Sequence, residues 1–146
     1  MTENNVLVSQ VLQANWTLAS PLASEILWET TRVDTVSFLA STKNQGVSCY
    51  NPTGALQNDP LSREAWLEHE RIIVDVLVKV TTTPAAAADV RKLIRDEVYR
   101  ILHTKELGIS GIVDVYVERE ITKVEGSDLV RLTLQVACVN FHVVPT

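Results

Sequence analysis

The alternation of apolar and polar residues divides the chain into elements separated by turn-forming stretches. Between Val6 and Trp16, the residues Leu7, Val8, Val11, Leu12 and Trp16 form one apolar stripe. Ser9, Gln10 and Gln13 lie on the other side, the spacing of an amphipathic helix. Pro21 closes this segment. Glu25–Thr31 and Val33–Ser41 are rich in β-branched and aromatic residues and alternate weakly, which predicts two short strands. Thr42 to Arg63 has no sustained period. Its Asn44, Gly46, Asn51-Pro52, Gly54 and Asn58-Asp59-Pro60 are turn formers. An irregular loop of about twenty residues is therefore expected, a length that compact domains keep for lids, arms or binding loops.

Arg71–Val80 gives the clearest strand. Ile72, Val74, Val76, Val78 and Val80 face one way, while Arg71, Asp75 and Lys79 share the other face with Ile73 and Leu77. Trp66, Glu68 and Glu70 extend the alternation toward the loop. Thr83 is the expected N-cap of a helix that Pro84 opens and Ala85–Ala88 propagates to about Thr104. Val90, Leu93, Ile94, Val98, Ile101 and Leu102 mark its buried stripe, and Gly108 is a natural stop. Ile112–Val124 and Leu129–Val144 are two long strands joined by a turn over Glu125-Gly126-Ser127-Asp128. The first carries Val113, Val115, Val117 and Ile121 on one side; the second carries Val130, Leu132, Leu134, Val136 and Cys138 inward. The order α-β-β-loop-β-α-β-β predicts an α+β fold: an antiparallel-rich sheet of five strands with two helices on one face, in one domain spanning residues 1–146.

Composition narrows the function classes. The chain is 46% hydrophobic and 21% charged, which excludes a disordered tail or a collagen-like fibre. A formal net charge of −5 repels nucleic acid and anionic membrane. The start of the chain lacks a basic, continuously apolar leader, and no run approaches the roughly 18 apolar residues of a spanning helix. Cys49 and Cys138, far apart and outside any Cys-x-x-Cys pair, fit free thiols in a cytoplasm-like environment.

The search for chemistry finds no glycine-rich phosphate loop and no G-x-S-x-G elbow. Glu68-His69-Glu70 places one histidine between carboxylates on a strand, short of the paired histidines a zinc peptidase needs. His103 suits the C-terminal end of its helix. His142 shares a strand face with Asn140, and no ligand-type residue stands at metal spacing from it. Asp114, Glu118 and Glu120 line one strand face, which is either a solvated sheet surface or a set of acid–base carboxylates. Arg91, Lys92, Arg95 and Arg100 give the long helix a basic side that suits an acidic partner or phosphates. The pairs Lys92–Asp96 and Asp96–Arg100 are expected to neutralise part of it. Trp16, Trp28 and Trp66 are either core or interface anchors. Neither a cofactor nor a metal is implied.

The layout resembles the tail terminator (tail completion) proteins of long-tailed bacteriophages and archaeal viruses. The resemblance rests on an early helix ending in Asn15-Trp16, two short strands and a long central loop. Glu70-Arg71-Ile72-Ile73-Val74-Asp75-Val76 then leads into Pro84–His103, and the last strand begins Leu129-Val130-Arg131-Leu132. It covers most of the chain and includes no signature motif. It implies a small α+β subunit that assembles into a ring, usually a hexamer, without catalysis. Such a ring caps the tail tube, ends its polymerisation and docks to the head-side connector, with DNA as cargo in the lumen. The implied location is the virion, reached from the host cytoplasm during assembly. On this reading the loop and strand edges make the subunit and tube contacts, with Tyr50, Asn51, Leu56, Trp66, Arg91 and Arg95 as the candidate contact residues.

Overall fold

The computed structural model describes residues 3–18, 26–52, 56–104 and 112–144. Within these, the side chains of residues 56, 57, 104, 112, 113 and 125 are outside the description, as are Pro21, Glu25, Gly54 and Gly108 altogether. The elements are α1 (Asn4–Asn15), β1 (Ile26–Glu29), α2 (Thr35–Ala40), β2 (Gln45–Tyr50), β3 (Leu56–Pro60), β4 (Ala65–Lys79), α3 (Pro84–Thr104), β5 (Ile112–Glu125) and β6 (Leu129–Val143). The fold is α+β, with one six-stranded sheet in the order β1-β2-β4-β6-β5. All pairings are antiparallel except β1 with β2.

β4 is the spine of the sheet. One of its edges pairs with β6 over its whole length, from Ala65 opposite Val143 to Lys79 opposite Leu129. The other edge is shared end to end by two short strands, β3 opposite residues 66–70 and β2 opposite residues 73–78. Period-two burial follows directly. Ile72, Val74, Val76, Leu134, Val136 and Cys138 are fully buried against Val8 and Leu12 of α1 and Ile94, Val98 and Ile101 of α3. The expected cap of α3 is present, with the Ala86 amide donating to Thr83 Oγ1 at 3.1 Å. Gly126 (φ +68°) supplies the left-handed residue that the β5–β6 turn needs.

Several expectations are corrected. Val33–Ser41 forms no strand: it contains α2, because the Asp34 side chain caps the Ser37 amide at 3.1 Å and Phe38 is drawn into the fold. The stretch 42–63 is no irregular loop either, since it holds β2 and β3. β2 reads as polar, yet residues 45–49 are all buried between β1 and β4. Its Ser48 hydroxyl is satisfied by the Thr31 carbonyl, so a polar residue costs little there. The two expected helices share one face, and α2 is an additional third. α1 and α3 cover one side, whereas α2 packs Phe38 on Leu77 and Leu129 on the other. Gly46 makes room for it, because a Cβ there would stand 3.2 Å from the Phe38 ring.

β5 carries register shifts between Ile112 and Asp114 and between Val117 and Arg119. Each inserts one residue and reverses the side-chain parity beyond it. Val115 and Val117 therefore pack on the helix side, while Ile121, opposite Thr133, faces the other way.

Candidate assembly surfaces

The six candidate contact residues fall into three places. Tyr50 ends β2 and donates its hydroxyl to Asp75 Oδ2 at 3.1 Å. Asn51 follows it and reaches Asn5 Oδ1 at 3.4 Å. Both residues thus have intrachain partners, and they tie the β2 end to α1 and to the sheet. Leu56 opens β3 opposite Glu70, and its side chain lies outside the described residues. Trp66, near the start of β4, stacks on His142 of β6 with ring centroids 5.3 Å apart. Arg91 and Arg95 sit on α3 beside β5. The structure therefore brings β3 and Trp66 together at one end of the long strands and the two arginines together elsewhere.

Asp75 and Arg131 lie on the face away from α1 and α3, yet they are 1% and 3% exposed. Arg131 Nη1 donates to Asp75 Oδ2 at 2.8 Å, and the Thr133 hydroxyl donates to Asp75 Oδ1 at 2.7 Å. Arg131 Nη2 also donates to the Val33 carbonyl at 3.1 Å. The segment leading into α2 folds over this pair and excludes water. A buried pair with these extra hydrogen bonds fixes where the segment sits. Lys79 adds a bond to the Ser41 carbonyl at 2.7 Å and lies over the Phe38 ring.

β3, the start of β4 and the end of β6 form one end of the sheet, its tip. Leu61, Phe141, Val143 and Val144 are all at least 43% exposed there. Asp59 lies on the same side of the sheet as Phe141 and Val143, whereas Glu68 and Glu70 lie on the α1/α3 side, with Glu3 of the α1 N-terminus close enough to act on Glu70. Burial, aided by the charges of Glu68 and Glu3, pushes the Glu70 carboxyl above its ordinary range, against a 2.5 Å bond from Asn4. His69 Nε2 lies 2.8 Å from Asp59 Oδ2, and His142 Nε2 lies 3.5 Å from Glu68 Oε2. Glu68 reaches His142 across the ladder, a contact that spacing along the sequence does not show.

The second surface is an open groove of about 360 Å³ between α3 and β5, with Leu132 of β6 in its lining. Arg95 bonds Glu120 and Asp96, both at 2.9 Å, and the Tyr99 hydroxyl donates to Glu120 at 2.7 Å. The bond from Tyr99, with those from Arg95, holds the Glu120 carboxyl below its ordinary range. Lys92–Asp96 and Asp96–Arg100 are not the pairs that form. Asp96 takes Arg95, and Arg100 takes Glu97 at 2.5 Å, because burial of Glu97 demands a cation beside it. The β5 bulge also separates the three carboxylates. Glu120 faces α3, Asp114 faces the opposite side, and Glu118 sits at the bulge, 3.5 Å from Arg71.

Cys49 lies in buried β2 rather than in a loop, and burial pushes both thiols up to about 12. Trp16 and Trp28 meet edge to face at 5.0 Å against the core. Among the described residues no group of three or more His, Cys, Asp or Glu side chains could hold a metal ion, and no helix is long and apolar enough to cross a membrane.

This architecture has a counterpart among solved structures. A chain of the virion of a native gene transfer agent particle shares the fold with a TM-score of 0.63 and 15% sequence identity, over 94% of each chain. No protein-family model matches the sequence, and no curated protein matches it.

Proposed function

We propose that the chain is a virion structural protein that assembles into a ring, six subunits in the arrangement the resemblance implies, at the end of a tail tube. The ring ends tube polymerisation and docks the tube to the head-side connector, with DNA passing through the lumen. The observation that carries this reading is the fold shared end to end with a chain of a virion particle. Two features support it physically. The tip presents four large apolar side chains to solvent, an arrangement typical of a surface awaiting a partner. The net charge of −5 also suits a passage through which DNA slides without adhering.

Static light scattering tests this on the purified protein and then on mixtures with the tail tube protein of the same particle. The expected result is a discrete multiple of 16.2 kDa for the protein alone and shorter tubes as its proportion rises. A monomer that leaves tube length unchanged contradicts it.

A further inference from the structure

The sheet path β1-β2-β4-β6-β5 ends in two strands that each have one strand neighbour among the described residues. Each therefore presents a row of backbone N–H and C=O groups without a strand partner, a template for pairing. The ladders fix their directions. β5 is antiparallel to β6, which is antiparallel to β4, so β5 runs with β4. β1 runs with β2, which is antiparallel to β4, so β1 runs against β5. Where the sheet of one copy continues into the next by rotation about an axis along the strands, β5 meets β1 in the antiparallel sense.

The side chains limit the register. Leu27 and Glu29 of β1 lie on the α2 side of the sheet, Ile26 and Trp28 on the α1/α3 side. Beyond its second bulge β5 is regular, with Arg119, Ile121 and Lys123 on the α2 side, opposite Gln135, Thr133 and Arg131. A continuous sheet keeps its sides matched, and the 4 residues of β1 must lie against residues 119–125. Two registers meet both conditions. One sets Glu29 opposite Arg119 and Leu27 opposite Ile121. The other sets Glu29 opposite Ile121 and Leu27 opposite Lys123, a charge against an apolar side chain at both places. The first joins opposite charges and joins apolar groups, as favourable cross-strand pairs do. Neither Arg119 nor Glu29 has an ion-pair partner among the described residues. The charges that blunt the β5 edge against arbitrary strands therefore suit this one.

We propose that the Arg119–Thr122 edge of one copy pairs antiparallel with β1 of the next, with Arg119 opposite Glu29 and Ile121 opposite Leu27. The contact joins two different edges of the same chain, so it is heterologous and can propagate round a closed ring. The inference rests on the ring reading above and names the strands that make it.

Charge exchange tests it in solution. Arg119→Glu and Glu29→Arg are made singly and together, and far-UV circular dichroism checks that each protein is folded. Static light scattering over a dilution series then gives the mass. Each single variant is expected to fall to 16.2 kDa at concentrations where the wild type holds its assembled mass. The double variant is expected to regain that mass, because every contact again pairs opposite charges. The register has its own readout: Leu27→Cys with Ile121→Cys should give, on oxidation, disulfide-linked multimers that a reducing agent separates. The native Cys49 and Cys138 are buried and do not compete. Three results overturn the edge contact and leave the ring standing: folded single variants that keep the wild-type mass throughout, a folded double variant that stays at 16.2 kDa, or an assembled cysteine variant that yields no linked multimers. A wild-type protein of 16.2 kDa at every concentration overturns the ring reading and this contact with it.

Discussion

Arg131 and Asp75 show how far a single residue's role depends on what folds over it. Strict alternation puts both on the face away from α1 and α3, and the structure agrees. The sequence offers no sign that the segment before α2 crosses that face, where its Val33 carbonyl accepts from Arg131 and the pair is buried. Burial changes the energetics of substitution. Arg131→Met strands an uncompensated carboxylate and is expected to cost about 3–5 kcal/mol, whereas Arg131→Met with Asp75→Leu should cost clearly less. Urea denaturation of the three proteins checks this, and equal losses in the single and double variants would refute it. The other buried charge, Glu97, illustrates the same point. Burial acts to raise its carboxyl, but hydrogen bonds from Arg100 and Thr17 outweigh it and hold the group below its ordinary range. Periodicity alone assigned Arg100 a different partner. Spacing lists the possible pairs, and burial selects among them.

Among the elements, those with a strong period were legible: α1, α3, β4 and β6 stand close to where alternation and capping place them. The errors share a cause. α2 is six residues long, too short for a helical period to appear, and its Val36 and Phe38 read as strand formers. Its existence rests on the Asp34 cap and on Phe38 filling the space left by Gly46. β2 was hidden by its glycine, serine and glutamine, which are tolerated because the strand is flanked on both sides and hydrogen-bonded. The β5 bulge is invisible to period-two reasoning, and it moved Glu120 out of a supposed carboxylate set and into the contact with Arg95. Phe38→Ala tests the account of α2. It should destabilise the protein by about 3–5 kcal/mol, as expected for a fully buried aromatic side chain. It should also raise hydrogen exchange at the amides of residues 35–40 before those of β4. Retained protection in α2 would show that its cap, and not Phe38, anchors it.

For the molecule as a whole, composition described a mildly acidic chain, and the carboxylates look scattered along the sequence. The fold gathers Glu3, Glu68 and Glu70 on the α1/α3 side of one end of the sheet, with Phe141 and Val143 exposed on the opposite side of that end. Such polarity is legible only once β3 is known to pair with β4 and β6 to run alongside, because it depends on contacts between residues distant in sequence. Trp66 and Arg91, two of the residues singled out from sequence, lie apart: Trp66 stacks on His142 at this end, and Arg91 lines the α3–β5 groove. The candidate surface was thus partly present in the sequence as residue types, but their distribution over the two faces of the sheet was not. The most direct test of the central claim is electron microscopy of tail tubes polymerised with and without this protein, carrying a gold label on it. The account predicts a ring of label at one end of each tube and shorter tubes of narrower length distribution. Bare tube ends with an unchanged length distribution, or label located away from the tube terminus, would contradict it.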